Sequence, residues 1–208
     1  SFHLGCSELV KDNPYQTLWY DEPAEVWEDA LPLGNGRFGA MVFGNPINDR
    51  IQLNDDSLWP NDLEWDHPSG ESANLATVRK ALFEGDAKSA DSLMVHYFSN
   101  KSITRSHQTL GDLFLDWDHT GITDYKRFLD LKTALSITEY KSEGYDVVQK
   151  VFVSHPHQVM VINLSSDHPN GLNGKIRLDR PLDEGQKTVN VISFDQQIIM
   201  EGEVTQRA

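Results

Sequence analysis

The sequence predicts a mainly β chain: a large antiparallel β-sandwich, with a short helical insertion near residues 72–98. Three observations predict it. From Gly111 onward, short β-rich runs recur between turn signals, the pattern of a sandwich. Residues 72–98 interrupt that pattern with apolar spacings of three and four. Residues 27–59 read WEDALPLGNGRFGAMVFGNPINDRIQLNDDSLW, in which glycines punctuate short apolar runs.

The elements follow in order. Residues 1–18 read as an irregular lead-in, and 19–208 as the sandwich domain. The turn Leu33-Gly34-Asn35-Gly36 leads into a strand over residues 37–43, and a second strand covers 50–53. Glycines 34, 36, 39 and 44 call for left-handed backbone or a close backbone approach. Residues 61–71, NDLEWDHPSGE, are turn-rich and read as loop. Leu75, Val78 and Leu82 then share one helix face, Gly85 caps that helix, and Asp86 starts a second. Ala87, Ala90, Leu93, Met94 and Tyr97 continue on it.

Beyond Gly111, Leu113, Leu115 and Trp117 alternate with Asp112, Phe114 and Asp116. Leu135 and Ile137 alternate with Ser136 and Thr138. Residues 147–153, 159–164, 175–178, 189–194 and 198–200 are all β-rich. Turns at Ser142-Glu143-Gly144, His155-Pro156 and Asp167-His168-Pro169-Asn170-Gly171 separate them. Residues 200–204 read as a strand leaving a hairpin, with no capping element after it. A sandwich ending there would expose an edge.

Composition narrows the function classes. A net charge of −14 argues against nucleic acid, which needs a basic surface. No run approaches the length of a membrane helix. One cysteine, Cys6, allows no internal disulfide. Leu4-Gly5-Cys6 is similar to the end of a bacterial lipoprotein signal, whose Cys becomes the lipidated first residue. That reading implies a lipid anchor and an extracytoplasmic site, periplasmic or at the cell surface. The alternative is a free thiol in a frayed terminus.

The acidic loop that closes residues 27–59 is the candidate binding element. Asn54, Asp55, Asp56 and Ser57 offer hydrogen-bonding oxygens beside Trp59. Sugar sites combine polar groups for hydroxyls with an aromatic face for ring C–H groups. The plain alternative is a strand-turn-strand with a buried Trp. Trp59, Trp65 and Trp117 are either a sugar platform or buried sandwich residues. Asp55 and Asp56 are adjacent and point different ways on extended backbone, so they do not form an acid–base pair. His155 and His157 would share one strand face as a metal pair, but no third ligand has fitting spacing. Gly34-Asn35-Gly36 lacks the Lys-Ser/Thr of a phosphate loop. No metal and no cofactor is expected.

Several of these motifs together resemble glycoside hydrolase family 95, the α-L-fucosidase family. Residues 30–44 match its A-L-P-L-G-N-G-R-L-G-A-M-V-F-G, with Phe38 for Leu. Residues 49–59 match E-R-I-Q-L-N-E-D-T-L-W, with Pro60-Asn61 in place of the following Ser-Gly. Arg79, Leu82 and Gly85 fit a short helical segment of the family. His107-Gln108-Thr109-Leu110-Gly111-Asp112-Leu113 fits Y-Q-P-L-G-D-L, and residues 125–131 fit Y-x-R-x-L-D-L. Residues 152–159 fit F-x-S-x-P-x-x-x-V, apart from the spacing of its last Val. The resemblance runs from about Trp19 to about Leu164.

It implies an N-terminal β-sandwich domain of the super-sandwich type, part of an inverting glycosidase that cleaves terminal α-L-fucosyl linkages. It also implies that the β domain continues past Ala208 and is followed by a helical barrel bearing the catalytic groups. No residue here matches those groups, so none is assigned as catalytic. The implied partners are fucosylated glycans and the barrel. Asn54, Asp55, Asp56, Trp59, His107 and Gln108 are then expected to contact substrate or the barrel interface. A carbohydrate-binding or purely structural sandwich module remains the alternative.

Overall fold

A computed structural model describes residues 16–59, 72–98, 107–183 and 185–204. These fall into two compact units: residues 16–58 with 107–204, and Trp59 with 72–98.

The first unit is the sandwich. One sheet has the order β1-β6-β7-β8-β9 and the other β10-β5-β4-β3-β2. The strands of the first are β1 Thr17–Tyr20, β6 Thr123–Asp130, β7 Leu135–Ser142, β8 Tyr145–Ser154 and β9 Val159–Ser166. Those of the second are β2 Leu31–Gly34, β3 Phe38–Val42, β4 Asn48–Asp55, β5 Gly111–Trp117 and β10 Gly174–Asp179. A hairpin of β11 Val189–Phe194 and β12 Gln197–Gly202 makes a third, two-stranded sheet. Every strand pair is antiparallel, as the sequence predicts.

Alternation builds the core. On β4, Asp49, Ile51 and Leu53 turn inward while Arg50 and Gln52 turn outward. Leu31, Leu33, Ala40, Val42 and Leu115 join Ile51 and Leu53 from the same sheet. Leu129 on β6 and Val151 on β8 meet them from the other. Trp117 packs against this cluster, so it belongs to the core rather than to a sugar platform.

The apolar interior becomes polar along β4. Asp49 is 1% exposed, and its Oδ1 accepts from the Gly44 and Asn45 N–H groups at 2.7 and 3.0 Å. Gln149 Nε2 donates to its other oxygen at 2.6 Å. Burial pushes this carboxyl from the ordinary 3.8 up to about 6, against the downward pull of those hydrogen bonds. The Tyr125 hydroxyl donates to the Gly44 carbonyl at 2.6 Å, and burial raises its pKa as well, keeping the phenol neutral. Gly44 has φ +75°, and a Cβ there would lie 3.0 Å from both Thr138 Oγ1 and the Tyr125 hydroxyl. Only glycine fits that turn.

The second unit carries a helical hairpin, α1 Ser72–Phe83 and α2 Ala87–Phe98, inside the predicted insertion. Gly85 has φ +80° and Asp86 Oδ1 accepts from the Ser89 N–H at 3.0 Å. Those are the C-terminal stop and N-cap that the sequence implied. Among the described residues, no helix is long and apolar enough to cross a membrane.

Two expectations shift. β1 begins at Thr17, inside the stretch read as lead-in. His155 and His157 lie in the turn between β8 and β9 and not on one strand face, because β8 ends at Ser154. The Ser154 hydroxyl hydrogen-bonds His157 Nδ1 at 3.1 Å, and no group of three metal-ligating side chains occurs among the described residues.

Candidate functional site

The glycine-rich turn is pinned by its asparagine. Asn35 Oδ1 accepts from the Phe38 and Arg37 N–H groups at 2.8 and 3.1 Å, closing the turn between β2 and β3. Its Nδ2 donates to the Ser154 carbonyl at 3.1 Å, tying that turn to the end of β8. Beside it, β4 runs out into the acidic loop. The Asp56 N–H donates to the Arg37 carbonyl at 3.0 Å, and the Leu58 N–H to the Asp55 carbonyl at 3.2 Å.

His107, Gln108 and Thr109 return alongside that loop. The Gln108 N–H donates to the Leu58 carbonyl at 2.9 Å. His107 Nε2 lies 2.9 Å from the Asp55 carbonyl, and the Thr109 hydroxyl donates to the Leu53 carbonyl at 3.2 Å. The loop and the segment entering β5 are thus locked together, so a local sequence motif at each end becomes one surface.

That surface borders a cleft of about 370 Å³ on the outer face of β3 and β4. Gln52 and Asn54 project into it from β4, opposite Met41 and Gly39 on β3. His107 and Thr109 lie on its β5 side, and Trp27, 54% exposed, on its β2 side. Trp27 sits in a 3₁₀ turn, Trp27–Asp29, held over the sheet by a small apolar cluster of Ala24, Ala30 and Phe43 with Met41. Arg127 anchors the same segment from below, donating to the carbonyls of Glu22 and Asp29 at 2.7 Å each.

The expected residues separate on this frame. Asn54 and His107 meet at the cleft. The Asp55 carboxylate turns away: it accepts from the Ser57 hydroxyl and N–H and pairs with Arg37 at 3.3 Å. Those Ser57 hydrogen bonds, helped by Arg37, hold it below the ordinary carboxylate value, which suits a fixed anion and not a general acid. Asp56 is exposed in the turn, and Gln108 contributes its backbone to the loop lock. Trp59 is 55% exposed and belongs to the other unit. Cys6 and Trp65 lie outside the described residues.

Two contributors escape the sequence reading. Trp27 stood in the sequence as the first letter of the motif, and Gln52 as the letter before Leu53. The usable signal was parity: Gln52 and Asn54 flank Leu53, so an inward Leu53 forces both amides outward together.

Comparison with known proteins gives the chain's family. The family model for the glycosyl hydrolase family 65 N-terminal domain matches residues 18–207. "Alpha-L-fucosidase 2" of Arabidopsis thaliana is 31% identical over 176 residues, covering 82% of this chain and 20% of that protein. "Probable alpha-fucosidase A" of Aspergillus niger is 30% identical over 173 residues, covering 78% of this chain and 21% of that protein. Its Aspergillus oryzae namesake is 29% identical over 173 residues, covering 78% and 23%. The chain thus spans about a fifth of the length of these curated relatives. Motifs, sandwich and relatives agree, and the chain belongs to the glycosyl hydrolase family 65 N-terminal domain family, with proteins called α-L-fucosidases among its relatives.

Proposed function

We propose that this chain is the N-terminal β-sandwich of an α-L-fucosidase-like glycoside hydrolase. The parent enzyme removes terminal α-L-fucosyl residues from glycans with inversion, and the sandwich supports or borders a catalytic helical barrel. The observation that carries this reading is the alignment of 78–82% of the chain with three proteins called fucosidases.

The chemistry within the chain supports a helper role. An inverting glycosidase needs an acid and a base about 6.5–9.5 Å apart across the scissile bond, both reachable by substrate. Asp49 has the raised affinity for a proton that an acid needs, but it is enclosed by the sandwich. Asp55 is accessible to solvent at the loop but is held ionised by Ser57 and Arg37. A carbohydrate-binding module is the second reading, favoured by the amide-lined cleft beside Trp27.

The deciding assay uses the parent enzyme and the 208-residue chain on an aryl α-L-fucoside. Turnover by the parent and none by the chain is expected. Turnover by pure chain that Asp55→Asn abolishes would sink the helper role, and an inactive parent would sink the fucosidase reading. We also propose that Cys6 is lipidated and the parent anchored outside the cytoplasm, as Leu4-Gly5-Cys6 suggests. Mass spectrometry of the native protein tests this: unmodified Cys6 preceded by intact residues 1–5 rules it out.

A further inference from the structure

The cleft over β3 and β4 has the chemistry of a ligand site. Gln52 and Asn54 stand two residues apart on one strand face, about 7 Å along the strand. Neither side-chain amide has a hydrogen-bond partner among the described residues, and neither does the Trp27 indole N–H. Each amide offers two donors and an acceptor. Opposite Asn54 stands Gly39, which leaves the floor open, and beside it Met41 adds an apolar patch.

Charge is missing from this lining. No Lys, Arg, Asp or Glu side chain borders the cleft among the described residues. Charges near it are paired with each other: Arg37 with Asp55, and Arg50 with Asp112, which stands opposite Gln52. The ligand should therefore be uncharged, with hydroxyls for the amides and a C–H face for the exposed indole. At about 370 Å³ the cleft lies at the small end of ligand pockets. That size suits one or two sugar rings.

We infer that this cleft is a pyranose-binding subsite carried by the sandwich. It takes one neutral pyranose unit of a glycan, with Trp27 against the ring's C–H face and Gln52 and Asn54 on its hydroxyls. The inference rests on the glycosidase reading above for its biological setting. A protein segment seated in the cleft is the competing occupant. The two unpaired amides on the flat strand face favour hydroxyls, which can accept and donate at once.

The test is a titration of the ¹⁵N-labelled 208-residue chain with methyl α-L-fucopyranoside and methyl β-D-galactopyranoside, followed by NMR. Saturable shifts of the Trp27 indole N–H and of the Gln52 and Asn54 side-chain amides are expected with at least one glycoside. Trp27→Ala should weaken binding about tenfold, with the melting temperature unchanged because the ring is half exposed. Gln52→Ala is the second variant and should weaken binding too. No saturable shift at high millimolar glycoside overturns the inference, as does equal binding by both variants and the unaltered chain. Hydrolysis of aryl α-L-fucoside by the parent is an independent readout. If it persists while the cleft ignores sugar, only the subsite fails. If it is missing while the cleft binds, the fucosidase reading fails and the subsite stands.

Discussion

Asp49 is a carboxyl group enclosed between two sheets, and its protonation is coupled to folding. Its folded value of about 6 exceeds the ordinary 3.8, so the folded chain holds this proton more tightly than the unfolded one. Stability contributed by the protonated form is present below about pH 3.8 and is lost as pH rises through about 6. Two units correspond to roughly 3 kcal/mol lost across that window. Asp49→Asn removes the titration. Its amide oxygen still accepts from Gly44 and Asn45, and Gln149 can turn its own amide to offer an acceptor. Urea unfolding of both proteins from pH 4 to pH 8 should show the variant gaining on the unaltered chain by about 2.5 kcal/mol as pH rises. Asp55 and Asp130 have lowered values and act in the opposite sense, but they are common to both proteins and cancel in the difference. Parallel curves would contradict the coupling. Half of this was legible in the sequence. The parity of Asp49, Ile51 and Leu53 in D-R-I-Q-L places an acid on the inward face. Its partner Gln149 is 100 residues away, and no local pattern joins the two.

Segments dense in β-formers between turn signals were the ones readable from sequence. β5, β8 and β9 show as such runs, whereas β7 was legible as a strand but buries Ser136, Thr138 and Tyr140 beside Ile137, so its apolar letters did not announce its inward face. β2 was hidden because it reads L-P-L-G. Its Pro is tolerated because β2 is the last strand of its sheet and Pro cannot feed a central ladder. β6 was hidden because one inward position holds Arg127, a residue that signals surface. Arg127 is 1% exposed, with its guanidinium 4.1 Å from the Tyr20 ring centroid. It staples the segment carrying Trp27 to the sheet through the Glu22 and Asp29 carbonyls. Arg127→Met would keep much of the volume and lose both charge-assisted bonds, at a cost of about 3 kcal/mol. Hydrogen exchange should then accelerate over residues 24–30, while β8 keeps its protection. Equal acceleration everywhere would mean global destabilisation, and no change would mean the staple is idle. The cleft was only partly legible for the same reason. Asn54 and His107 stood out as motif residues, whereas Trp27 reaches it through Arg127, 98 residues from Asp29.

Across the whole molecule, the two units have very different means of holding themselves together. The sandwich buries Leu31, Ile51, Leu115, Ile137 and Val151 almost completely, and long-range ladders tie its strands. The hairpin has two helices of 12 residues each, near the length at which helices are marginal in water. Each buries a single residue, Val78 on α1 and Ala90 on α2. Leu82 and Phe83 are 55% and 89% exposed, and Met94 and Val95 are 44% and 53% exposed. Burying a large apolar side chain stabilises by about 1.5–3 kcal/mol, so two small buried residues cannot offset the ordering of some two dozen. Local opening of the hairpin should therefore be far cheaper than opening of the sandwich. Amide hydrogen exchange at neutral pH checks this in the 208-residue chain. Residues 76–83 and 90–98 should exchange at least about a hundredfold faster, relative to their intrinsic rates, than the central strands β7 and β8. Capping bonds at Gly85 and Asp86 hold the connection but add only about 1 kcal/mol, too little to close that gap. Exchange of hairpin and strands with one common protection would mean that the chain opens as a single cooperative unit. The division into two units would then describe shape and not stability.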